Sequence, residues 1–285
     1  IPLGGMDALV SNTLPVGGGL SSSAAIEVGT AQAFLTLAGL KMDPQRMALI
    51  CQKAENDFVG VPVGIMDITI VAGAKPGQAM LLDCRDLSKQ FIPLDPNELR
   101  IVIANSMVKH ELGSGEYAQR RKQCEQGVRH FQQHYPSLSI KALRDVTMKM
   151  VETAAREETM DSVVLRRCRH VVGEIARTTE AAAKLGQKHY EEVGRLMVQS
   201  HESLRDDYEV SIDELDFLVA EAVKVKGVYG SRMTGGGFGG CTVSLVQPRA
   251  VEPLIEHLGR VYKEKFNIAP SVFATSATGG VSVLE

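Results

Sequence analysis

The sequence predicts an α+β architecture in two parts, and three observations carry that expectation. At 285 residues the chain has room for about two domains, and its 44% apolar and 23% charged residues suffice to bury sizeable cores. Up to Asn105, helical stripes alternate with short strand-like runs. Beyond Asn105 come three long helical stretches rich in Arg, Glu and Gln, then a glycine-rich segment, a helix and a strand. The expected division runs 1–108 and 109–285.

Each element follows from its local pattern. From Ala24 to Leu40 the chain is alanine-rich, with Ile26, Ala33, Phe34 and Leu37 on a helical stripe that GLKMDP interrupts. Asp43 then caps a second helix with Pro44 at its first position. Met47, Ile50, Cys51, Ala54 and Phe58 recur there at helical spacing, with Glu55 off the centre of the stripe. QAMLLDC (Gln78 to Cys84) and LRIVIAN (Leu99 to Asn105) read as strands, the second β-branched and central. GEYAQRRKQCEQGVRHFQQH, Ser162 to Leu185 and Lys188 to Leu204 form the helical region. Gly227 to Val246, a helix over Val251 to Phe266 and a strand around Ser271 to Ala274 close the chain.

Charge and composition exclude several classes. With 31 Lys and Arg against 34 Asp and Glu there is no basic field for a nucleic-acid backbone. The five cysteines stand far apart with no CxxC pair, which argues against zinc and a disulfide framework and fits a reducing, cytoplasmic compartment. No apolar run reaches the ~18 residues of a membrane span. Ile1 is not a methionine, so the chain is expected to begin inside a longer protein. His110, His130, His170 and His201 show no ligand spacing and read as structural, and the Arg-rich AQRRK and RRCRH stretches read as solvated helix faces.

The densest chemical signal is LPVGGGLSSSAA (Leu14 to Ala25), three glycines and three serines before a helix. Such a turn either cradles an anion with converging backbone N–H groups at the positive end of the helix, or is a tight turn with a serine cap. Three hydroxyls exceed what one cap needs, and the loop fits neither the Walker lysine motif nor GxGxxG. Asp67 interrupts the apolar run VPVGIMDITIVAG, where an unpaired buried charge is costly, so it is either a cap or functional. The glycines of GVYGSRMTGGGFGGCTVSLV read equally as a turn between two strands and as a loop that meets a ligand.

PVGGGLSSSAA resembles the second signature of the GHMP kinases, and SRMTGGGFGGCTVSLV resembles their third, in the same order. VPVGIMD, LLDCRDL, NSMVKHELGSGEYAQRR and SLRDDYEVSIDELD are similar to the branch of that family that phosphorylates galactose, and the likeness covers essentially all 285 residues. The resemblance implies a truncated ribosomal-protein-S5-like N-terminal domain followed by a ferredoxin-like C-terminal domain with added helices. It also implies transfer of the γ-phosphoryl group of ATP to the anomeric hydroxyl of galactose, in galactose metabolism. An N-acetylgalactosamine kinase and a non-catalytic galactose- and ATP-responsive regulator are the alternatives.

By the same resemblance, Gly17, Gly18, Gly19, Leu20, Ser21, Ser22, Ser23 and Ala24 wrap the ATP phosphates, and Ser23 and Glu55 hold Mg²⁺. Asp67 faces the attacking sugar hydroxyl, acting either as a base strengthened by desolvation or by orienting that hydroxyl. Gly64 and Tyr117 contact the sugar, against the plainer readings of a turn glycine and a rim tyrosine. Gly235, Gly236, Gly237, Gly239 and Gly240 close over the first loop. The implied partners are galactose and ATP, with no nucleic acid and no membrane, and the implied state is a monomer. Two departures stand out. The family's upstream GRxNLIGEHxDY signature does not occur within the 285 residues, and ITIVAG follows Asp67 where Gln-Phe is typical. Both lead to the expectation that this chain alone is poorly soluble and inactive on galactose.

Overall fold

A computed structural model describes residues 4–15, 17–60, 63–109 and 113–284. Its first part is a helical layer. Helix α1 (Ser22–Leu37) is followed by α2 (Pro44–Ala54), whose start is fixed as expected: Asp43 accepts from the backbone N–H groups of Gln45 and Arg46, with Pro44 at the first position. The last turn beyond α2 is π-helical, Glu55–Val59, closed by Gly60 N–H on the Glu55 carbonyl. A π turn takes in one residue more than an α turn and so rotates the side chains beyond it about the helix axis. Phe58, expected on the buried stripe, is 93% exposed, and Ile50 and Ala54, two turns and one turn earlier on the same face, are exposed already within α2. The line that does face inward is Met47, Cys51 and Glu55.

Helix α3 (Met66–Gly73) completes this layer, burying Ile68 and Ala72 against Ala24, Val28, Met47 and Cys51. Its run of Ile, Thr, Ile and Val carries no polar face to mark a 3.6-residue period, which is why the sequence shows an apolar run and no helix. A two-stranded antiparallel hairpin comes next, β1 (Gln78–Leu82) with β2 (Lys89–Pro93), Gln78 opposite Pro93 and Leu82 opposite Lys89. Ile26, Leu37, Phe58, Val59 and Met66 leave an apolar face of the helical layer exposed.

Strand β3 (Arg100–Lys109) leads into the helical region: α4 (Gly113–His134), a 3₁₀ turn (Leu143–Asp145), α5 (Met148–Arg156), α6 (Ser162–Gly186), α7 (Tyr190–Asp206) and α8 (Asp213–Ala222). Then come β4 (Val228–Met233), β5 (Gly239–Val246), α9 (Val251–Phe266) and β6 (Ser271–Thr275). The sheet is antiparallel with the order β4-β5-β3-β6, Val102 lying between Ser244 and Ala274. Taken in chain order these strands stand 2-3-1-4, the split β-α-β arrangement of ferredoxin-like folds, with α4 to α7 as the added helices. Strand β3 is the first strand of this sheet, although the expected division after residue 108 assigns it to the first part.

The second part packs around three cores, the smallest of them Leu204, Val210, Leu215 and Met233. Helices α8 and α9 cover the sheet with Leu218, Ala222, Leu254, Leu258 and Tyr262 over Val102, Ala104 and Val246. Helices α4, α5 and α6 close around Phe131, Val151 and Cys168. The residues after β6 return to the helical layer: Ala277 accepts from Gly77 N–H, and Gly280 and Val281 N–H groups donate to the Ala74 and Val71 carbonyls. Among the described residues, no helix is long and apolar enough to cross a membrane.

Candidate active site

The two glycine segments, more than two hundred residues apart in the chain, lie backbone against backbone. Gly19 and Gly235 both have positive φ, 71° and 73°. A Cβ on Gly19 would stand 3.1 Å from the Thr234 carbonyl oxygen, and one on Gly235 would stand 3.0 Å from the Gly19 Cα. Gly240 is closer still, since a Cβ there would lie 2.7 Å from the Gly18 carbonyl oxygen. Only glycine tolerates such approaches. The ends of β3 and β5 seat the first loop: Asn105 and Cys241 border Gly18, and the Ser106 hydroxyl donates to the Gly240 carbonyl at 2.8 Å.

The serine-cap reading of this loop is not what the chain adopts. Ser21 occupies the N-cap of α1 in the left-handed region, φ 59°, and its side chain makes no capping bond. The first N–H groups of a helix have no intrahelical partner, so the positive end of α1 opens beside the glycines without a side-chain acceptor. Asp67 is not a cap either. The N-cap of α3 is Ile65, and Asp67 sits in the first helical turn, half-buried, with no hydrogen bond or ion pair among the described residues.

Ser23, in the first turn of α1, donates to Glu55 Oε1 at 2.6 Å and lies 3.5 Å from Glu27 Oε1. The two residues expected to hold Mg²⁺ are thus in direct contact. Glu55, off the centre of the expected stripe, is buried at 7% exposure and opens the π turn on the inward line of α2. Glu27 belongs to no motif in the sequence, although it stands four residues after Ser23 on the same helix face. Burial pushes its carboxyl up to about 7, with the neighbouring Glu55 charge adding to the shift. Its Oε2 is buried without a partner. The Cys51 thiol beneath is raised by burial and then by Glu27. Among the described residues no group of three or more His, Cys, Asp or Glu side chains is placed to hold a metal ion; the oxygens gathered here are those of two carboxylates and a hydroxyl.

The arginines expected on solvated faces are in part structural supports of the second loop. Arg120 is buried and donates to the Tyr208 and Glu209 carbonyls, each at 2.7 Å, while pairing with Glu116. Arg167, 2% exposed, donates to Gln123, to the Asp207 carbonyl and to Glu209. Carbonyl acceptors make burial of a guanidinium tolerable, and a charge count along a helix does not reveal them. The segment they hold, 207–210, carries the second loop through Phe238 N–H on the Val210 carbonyl at 2.8 Å. His201 is structural as expected, its Nδ1 accepting from Met233 N–H beside that loop. Gly64 is exposed, and a Cβ there would meet nothing within 4 Å. The side chain of Tyr117, near the start of α4, lies outside the described residues, as does His110.

Residues 2–74 match the model of the GHMP kinase N-terminal domain, and residues 180–264 match that of the GHMP kinase C-terminal domain. The chain is 45% identical to galactokinase of Bos taurus over 284 residues, covering 100% of this chain and 69% of that protein. It is 44% identical to galactokinase of Homo sapiens over 283 residues, covering 99% and 69%. The crystal structure of Lactococcus lactis galactokinase complexed with galactose superposes with a TM-score of 0.89 at 32% identity, over 95% of this chain and 69% of that one. With two glycine signatures in one apposed pair of loops and these relatives along its whole length, the chain belongs to the GHMP kinases, and within them to the galactokinases.

Proposed function

We propose that this chain carries the nucleotide site and the reacting carboxylate for transfer of the γ-phosphoryl group of ATP to the anomeric hydroxyl of galactose, giving galactose 1-phosphate, that the transfer also draws on the GRxNLIGEHxDY signature that the 285 residues lack, and that the protein acts as a cytoplasmic monomer. The observation that carries the reading is the apposition of the two glycine loops at the uncapped start of α1, with Ser23 and Glu55 joined beside it. Gly17 to Ala24 present backbone N–H groups and the positive helix end to the phosphates, and Gly235 to Gly240 close the other side. Ser23 and Glu55 suit Mg²⁺, a hard cation that takes oxygen ligands, and the bound ion would offset charge on the phosphate oxygens.

Phosphoryl transfer asks mainly for positioning, and Asp67 answers that demand on the sugar side. With no partner among the described residues, its carboxylate is free to accept the attacking hydroxyl, orient it and receive its proton. Gly64, open on its Cβ side, and Tyr117 border the sugar in this reading. The five cysteines are free thiols, which supports a reducing compartment. The pairing of β3 with β5 and β6 supports a division between the two parts that falls between β2 and β3.

The test is product formation from ATP and galactose by the chain with that signature segment joined to it, taken as the parent, and by its Asp67→Ala variant. Loss of a positioned acid or base lowers turnover by about 10²–10⁴, and ATP affinity should stay within about threefold of the parent. Turnover by Asp67→Ala within threefold of the parent would remove Asp67 from the reaction.

A further inference from the structure

Glu27 has no part in the proposed transfer, yet it faces Glu55 across the Ser23 hydroxyl with one oxygen buried and unpartnered. We infer that Glu27 is a third oxygen donor of the divalent-cation site, acting with Ser23 and Glu55. The inference rests on the assignment of that site to Ser23 and Glu55.

The geometry leaves an imbalance that a cation would resolve. A carboxylate buried from water needs donors or an opposite charge. Ser23 has one hydroxyl proton, and at 2.6 Å it goes to Glu55, which leaves 3.5 Å to Glu27 Oε1 and nothing on Oε2. No arginine or lysine pairs with Glu27 or Glu55 among the described residues. All three groups stand on rigid backbone: Ser23 and Glu27 are one turn apart on α1, and Glu55 is fixed by the start of the π turn. Magnesium takes oxygen ligands from one or two carboxylates and completes its shell with water and substrate phosphates. Two facing carboxylates and a hydroxyl at the mouth of a phosphate loop supply that donor set.

The variant Glu27→Gln keeps the shape, removes the charge and gives Glu55 an N–H donor. The experiment titrates Mn²⁺, followed by its electron paramagnetic resonance signal, into the full chain saturated with a non-hydrolysable ATP analogue. It is run for the parent, Glu27→Gln and Glu55→Gln. Analogue affinity and thermal unfolding are measured in parallel in EDTA. Expected for Glu27→Gln is a Mn²⁺ dissociation constant raised about tenfold, the loss of one charged oxygen donor, with metal-free analogue affinity and melting temperature no lower than the parent's. If Glu55→Gln loses Mn²⁺ and Glu27→Gln binds it within twofold of the parent, the inference is overturned and the Ser23–Glu55 site stands. If neither variant loses Mn²⁺, the site assignment itself fails.

Discussion

Ser21 shows how one side chain that does not do its usual local job can point to a site. A serine at an N-cap ordinarily accepts from the turn it precedes, and here it adopts φ 59° with no such bond. The motif was legible in the sequence because three glycines and three serines overspend on a simple turn, but the geometry that decides between cap and cradle was not. Gly64 poses the same choice for the sugar side. Its φ is not in the left-handed region and a Cβ would touch nothing within 4 Å, so no contact among the described residues demands glycine. Gly64→Val is therefore expected to leave the melting temperature unchanged while raising the KM for galactose about tenfold, the ~1.4 kcal/mol of one obstructed contact; steady-state kinetics with galactose and ATP varied separately check it. An unchanged galactose KM would leave Gly64 as a turn glycine.

At the scale of elements, the helices α6 and α7 are joined by a polar contact that pH should expose. His170 on α6 is buried, bonds Ser203 on α7 through Nδ1 at 3.1 Å and stacks on Tyr208 at 4.4 Å. Burial lowers its pKa from 6.5 to about 4, with Glu174 and Asp207 opposing and Arg177 and Arg232 assisting the shift. The folded chain thus keeps His170 neutral while the unfolded chain takes up a proton near pH 6.5. Stability from this group is complete above pH 6.5 and is lost as pH falls towards 4, by about 3 kcal/mol at most. Denaturant unfolding from pH 7 to 4 should show a steeper loss for the parent than for His170→Gln, and parallel curves would contradict the assignment. Elements also mark the limits of sequence reading. The capped α2 and the β-branched β3 were legible, whereas α3 was not, having no polar face. The strand β2 and the short α5 and α8 likewise carry no distinct signal in the sequence. The π turn after α2 was invisible to a period of 3.6 residues, and the inward line is Met47, Cys51 and Glu55, which leaves Ile50, Ala54 and Phe58 facing outward.

On the scale of the whole molecule, the candidate site exists because the sheet of the second part delivers its glycine turn onto the loop of the first. Order along the chain disclosed both loops, and only the fold discloses their contact, the 207–210 strut beneath them and the two buried arginines that hold it. Those arginines read as surface because carbonyl partners distant in the chain leave no trace in local composition. Enclosure of nucleotide phosphate by the apposed loops can be tested cleanly at Gly236. Its backbone is not left-handed and a Cβ there meets nothing within 4 Å, so Gly236→Val removes no internal contact of the protein. Calorimetric titration of ATP into the parent and Gly236→Val, with the melting temperature measured alongside, is the decisive comparison. Expected is an ATP dissociation constant raised about tenfold or more, over ~1.4 kcal/mol, with an unchanged melting temperature; equal affinities for ATP would show that the loops do not enclose phosphate.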